Sequence, residues 1–94
     1  GLPPAVLRLI DQAVKGAKRS GKWVGVCGGI GSDPQAIPLL IGLGVKELSV
    51  SVSMIPAIKA QVRSLTLDHC QILASQALDL ETAAAVRDLV PLPE

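Results

Sequence analysis

The sequence predicts an α/β fold built from two short parallel strands set among helices. Three observations carry this. Apolar residues recur at helical spacing over most of the chain; two runs too short for helices, at 22–27 and 47–51, are rich in Val, Leu and Trp; and a helical pattern separates those runs. Strands divided by a helix pair in parallel through a right-handed crossover. Two strands alone cover the apolar faces of their helices poorly, so the pattern is expected to be part of a larger α/β sheet or barrel.

Pro3 and Pro4 open the first helix, where proline is tolerated in the first turn. Val6, Leu7, Ile10, Ala13, Val14 and Ala17 form its stripe, and Ser20-Gly21 stops it. The run from Lys22 to Cys27 reads as a strand buried on both faces, with Gly25 marking a close backbone approach. Gly28 to Gly31 is expected to be a loop. Ser32 or Asp33 caps the next helix, with Pro34 at its first position and Ile37, Leu40 and Ile41 inward. Pro38 is expected to bend it, and Gly42-Leu43-Gly44 ends it.

Glu47 to Ser51 reads as the second strand. Ser53 is expected to cap a helix whose stripe is Ile55, Ile58, Val62 and Leu65, with Pro56 in its first turn. Thr66 restarts a helix that carries Leu67, Cys70, Leu73, Ala74 and Ala77. A break near Asp79 precedes a last helix from Leu80 to Val90, and Pro91 and Pro93 follow. The expected order is α-β-α-β-α-α-α.

Composition narrows the function. The chain has 94 residues and a formal net charge of +1. Trp23 is its single aromatic residue, so nothing interleaves with Lys15, Lys18, Arg19 and Lys22 to stack bases. Nucleic acid is therefore not expected as a partner, and those cations suit a helix C-terminus. No signal peptide is visible and the apolar stretches are too short to span a bilayer. Cys27 and Cys70 are far apart and make no CxxC pair, so a reducing cytoplasm is expected. A start without Met suggests an excised fragment.

Chemistry in parallel α/β folds gathers at the carboxyl ends of strands. That selects Cys27 with its glycine loop, and Ser51 to Ser53. Gly29-Ile30-Gly31 begins a G-x-G pattern, but Pro34 stands where the third glycine should be, and no P-loop lysine follows. His69, between Asp68 and Cys70 in a helix's first turn, forms no metal site, because adjacent helix positions point apart. Ser49, Ser51 and Ser53 read as strand and cap hydroxyls.

The ordered set Gly25-Val26-Cys27-Gly28, Asp33-Pro34, Leu39 to Val45, Glu47 to Ser51 and Ile55-Pro56 with Lys59 resembles the C-terminal barrel of the PEP-utilising enzymes. The enzyme I type of the phosphotransferase system is the closest likeness. The resemblance implies that residues 1–94 are the incomplete end of a (βα)8 TIM-type barrel. It implies phosphoenolpyruvate and Mg2+ at the barrel mouth, with Mg2+ bound by residues outside this chain. Phosphoryl transfer to a histidine and then to the carrier HPr follows, serving sugar uptake, in a homodimer. Cys27 occupies the position of a cysteine that protonates enolpyruvate to pyruvate.

Where the family commonly has Cys-Gly-Glu, this chain has Cys27-Gly28-Gly29, a replacement that fits fused, multiphosphoryl-transfer versions of the enzyme. The family's phosphate-binding arginines, acidic metal ligands and phosphohistidine lie upstream, so Arg8, Arg19, Arg63 and Asp33 take none of those roles. The chain alone is expected to be inactive. A barrel of the pyruvate phosphate dikinase or PEP synthase type, and a non-catalytic dimerisation or regulatory module, are the alternatives.

Overall fold

The computed structural model describes residues 2–27 and 29–93. The elements run α1 (Pro4–Arg19), β1 (Gly25–Cys27), α2 (Gly29–Ser32), α3 (Ala36–Leu43), β2 (Glu47–Ser49), a 3-10 turn (Val52–Met54), α4 (Ile55–Arg63), α5 (Leu67–Leu78) and α6 (Ala83–Leu89). The two strands pair in parallel, with Gly25 opposite Glu47, Val26 opposite Leu48 and Cys27 opposite Ser49. The expected α/β class and the parallel pairing are both present.

Helix ends follow from the sequence. Gly21 and Gly44 have φ of 70° and 98°, the left-handed region open to glycine. At the second, Gly44 N–H donates to the Ile41 carbonyl and Val45 N–H to the Leu40 carbonyl, each at 3.0 Å, which satisfies two carbonyls of α3's last turn. Thr66 caps α5 by accepting from His69 N–H. Pro38 lies in the first turn of α3, so its missing N–H takes no bond from the helix interior. The carbonyl four residues back, on Pro34, instead accepts from Gln61 Nε2 of α4 at 2.7 Å.

The core joins Leu7 and Val14 of α1, Leu39, Leu40 and Leu43 of α3, Leu73, Ala74 and Ala77 of α5, and Val86 of α6. α3 and α5 cross closely at Gly42: a methyl group there would overlap the Cys70 carbonyl and stand 2.8 Å from Ala74 Cβ. Val26 and Leu48 lie half-buried against this core.

Several expectations need correction. The first strand is not buried on both faces: Gly25 and Cys27 are exposed and Trp23 is 62% exposed, because the described elements cover only one face of the sheet. Both strands are shorter than expected. The segment expected as a glycine loop forms the helical turn α2 from Gly29 on, and Gly28 lies outside the described residues. Ser53 does not cap α4; a 3-10 turn absorbs it, and the stripe of Ile55, Ile58, Val62 and Leu65 has no buried member. α3 starts at Ala36 rather than Pro34, and the last helix starts at Ala83, where Thr82 Oγ1 accepts from Ala85 N–H at 3.1 Å.

Candidate functional site

The parallel register brings the carboxyl ends of β1 and β2 level. Cys27 and Ser49 end their strands as direct partners, both on the exposed face. Cys27 is a free, exposed thiol, whereas Cys70 is buried in α5 and burial pushes its thiol pKa up. The two cysteines thus differ: Cys27, expected on a strand buried on both faces, is accessible at the strand end, and Cys70 is packed on its helix like a small hydrophobe.

α2 sits over these strand ends. Gly31 is buried, and a Cβ on it would lie 3.5 Å from the Val26 carbonyl and 3.8 Å from that of Ser49. A side chain larger than a methyl would meet the last carbonyls of the strands. Gly25 faces a tighter limit, with its Cβ position 3.3 Å from Glu47 Cβ across the pair. Small residues around Cys27 therefore keep the neighbouring backbone close.

Asp33 follows α2 directly, and its N–H donates to the Ile30 carbonyl at 3.3 Å. Its carboxylate accepts from Arg87 Nη1 at 3.0 Å and Nη2 at 2.7 Å, and from Gln35 N–H at 3.0 Å. The Arg87 hydrogen bonds are the main reason its pKa lies below the ordinary value; partial burial opposes them, and the Gln35 N–H adds to them. Gln35 is buried. Its Nε2 donates to the Arg87 carbonyl at 2.9 Å and the Val90 carbonyl at 2.6 Å. Its Oε1 accepts from Arg87 Nη1 at 2.8 Å. Sequence reasoning missed this cluster. Its one local signal is Gln35, a polar residue at the threshold of the apolar run 36–41.

The remaining candidates have ordinary roles. Ser51 and Ser53 are exposed with their hydroxyls 3.5 Å apart. His69 is exposed in the first turn of α5. Arg8 donates to the Leu78 and Leu80 carbonyls at 3.0 and 2.7 Å and so closes the end of α5. Lys15 pairs with Asp11 at 2.9 Å, and Lys18 and Arg19 occupy the last turn of α1.

A cleft of about 650 Å³ runs between α4 and the start of α3, lined in part by Ser32, Pro34, Ile37, Ile58 and Gln61; Cys27 is not among its walls. Among the described residues no group of three His, Cys, Asp or Glu side chains could hold a metal ion. The residues present do not fit the Mg2+ that the family resemblance implies. No helix among the described residues is long and apolar enough to cross a membrane.

Residues 1–67 match the family described as PEP-utilising enzyme, PEP-binding domain. The chain is 52% identical over 88 residues to a multiphosphoryl transfer protein of Xanthomonas campestris pv. campestris, covering 94% of this chain and 10% of that protein. It is 52% identical over 89 residues to a multiphosphoryl transfer protein of Rhodobacter capsulatus, covering 95% of this chain and 11% of the relative. A phosphoenolpyruvate-protein phosphotransferase of Mycoplasma genitalium is 45% identical over 89 residues, 95% of this chain and 16% of its own length. The chain thus spans between a tenth and a sixth of these relatives.

Proposed function

The chain belongs to the family of PEP-utilising enzymes, and we propose that it forms part of the PEP-binding domain of a phosphoenolpyruvate–protein phosphotransferase. Residues 1–94 contribute the last βα units of a (βα)8 barrel, and residues outside this chain supply the other strands. The whole protein moves the phosphoryl group of phosphoenolpyruvate to a protein histidine and on to HPr, in sugar uptake. It works as a cytoplasmic homodimer with Mg2+ held by residues outside this chain. The names of the relatives, two of them multiphosphoryl transfer proteins, support this reading.

Cys27 is the catalytic residue of this segment. The observation that carries its role is position: a free, exposed thiol at the carboxyl end of β1, level with Ser49 on β2. A thiol carries a proton that it can give, as a general acid, to a carbon held close to it. Once the phosphoryl group has left, the thiol proton passes to C3 of the enolate. The C2–C3 π pair forms the new C–H bond, the oxygen lone pair closes the carbonyl of pyruvate, and the thiolate regains a proton from water.

Cys27→Ala in the full-length protein tests the assignment. Pyruvate formation is expected to fall by roughly two orders of magnitude, the range typical of a lost general acid, while thermal stability stays near the parent value. Parent-level pyruvate formation would sink the acid role and leave the segment as a dimerisation or regulatory module.

A further inference from the structure

We propose that Asp33, Gln35 and Arg87 form a latch that fixes the turn after Cys27, and that Arg87 is a positioning residue for proton delivery by the thiol. The inference rests on the role of Cys27 given above.

The segment after the thiol has little to hold its shape by itself. Gly29 and Gly31 form half of α2, and glycine loses the most conformational freedom on ordering. Something outside the segment has to fix it. On one side α2 rests on the Val26 and Ser49 carbonyls. On the other it ends at Asp33, whose N–H closes α2's turn and whose carbonyl accepts from the Ala36 and Ile37 N–H groups. Asp33 is thus the joint between α2 and α3.

Five hydrogen bonds tie this joint to α6. Arg87 gives two to the Asp33 carboxylate and one to Gln35 Oε1; Gln35 Nε2 returns one to the Arg87 carbonyl and one to that of Val90. The paired guanidinium–carboxylate geometry fixes orientation as well as distance. α6 itself is anchored by fully buried Val86 and by the Thr82 cap. The Asp33 and Arg87 side chains remain 20% and 35% exposed, so screening by water keeps their share of overall stability small. What the pair supplies is placement of a short glycine-rich turn beside a thiol. Arg87 also lies beyond the residues that match the family, which end at 67.

The test uses the full-length protein with Arg87→Met and Arg87→Lys, and phosphoenolpyruvate stereospecifically labelled at C3. A misplaced thiol lets enolpyruvate escape and ketonise in water from either face. Arg87→Met is expected to lower kcat for pyruvate about ten- to a hundredfold. KM stays within about twofold, and the methyl group loses its chirality. Arg87→Lys, which keeps the charge without the fork, falls between. Parent rate and stereochemistry in Arg87→Met overturn the latch. So does activity that merely follows the folded fraction in both variants. Cys27→Ala run in parallel separates the two claims. Parent rate and stereochemistry there refute the thiol's role itself, whereas scrambling in Cys27→Ala but not in Arg87→Met refutes only the latch.

Discussion

Gly42 of α3 lies against the carbonyl of Cys70 on α5, so closely that no side chain fits between the two helices. Gly42→Ala sets two effects against each other. Alanine favours a helix over glycine by about 1 kcal/mol. Overpacking costs about 1–3 kcal/mol, and here the obstacle is backbone, which no rotamer change can move. The clash wins. The variant is expected to melt lower by several degrees, and a Tm at or above the parent's in a thermal scan would contradict the crossing.

Asp33 gives the fold an acid-side dependence. Its carboxyl pKa is depressed in the folded protein by Arg87, against about 3.9 when unfolded. The unfolded chain therefore binds a proton at higher pH than the folded one. The stability this contributes is fully present above the unfolded pKa and is lost as pH falls through the folded value. Asp33→Asn is expected to be less stable than the parent near neutrality, with the gap narrowing as pH falls below the unfolded carboxyl's ordinary value of about 3.9. Urea midpoints at the two pH values check this; a gap that is constant or widens in acid contradicts it.

The two thiols should react at different rates in the 94-residue chain. Cys27 is exposed and Cys70 fully buried. A thiol reagent is expected to label Cys27 alone in the folded chain, and Cys70 only once urea unfolds it. Equal labelling without denaturant, mapped by peptide mass, would refute this placement.

The isolated chain is expected to self-associate. β1 and β2 pair only with each other among the described residues, so each leaves one edge of unpaired N–H and C=O groups. The exposed Trp23, and Ile55 and Val62 of α4, add apolar surface. Sedimentation should show a weight-average mass that rises with concentration; a monomer at all concentrations would contradict it.

Local chemistry was legible in the sequence wherever one residue type suffices for one conformation. Gly21 and Gly44 end their helices in the left-handed region, Thr66 caps α5, and Cys70 is buried on the apolar stripe of its helix. Expectations failed where the outcome depends on what lies opposite. The run 22–27 carries the apolar residues of a doubly buried strand, yet the described elements cover only one face. The stripe of α4 is likewise apolar by spacing, yet Ile55 and Val62 are exposed and Ile58 and Leu65 only half-buried. The latch escaped for another reason: Asp33 and Arg87 are 54 residues apart, and no periodicity connects a turn residue to a distant helix.

That separation also sets an order of assembly. The thiol and the glycine turn are synthesised well before Arg87, and chains acquire structure from the N-terminal side as they emerge from the ribosome. β1, β2 and the α3–α5 crossing can form while the Asp33 carboxylate still faces water. The turn beside Cys27 takes its final shape only when α6 has been made and docked. A chain truncated before Arg87 would therefore keep the α3–α5 crossing but lack the bonds that set the turn beside the thiol.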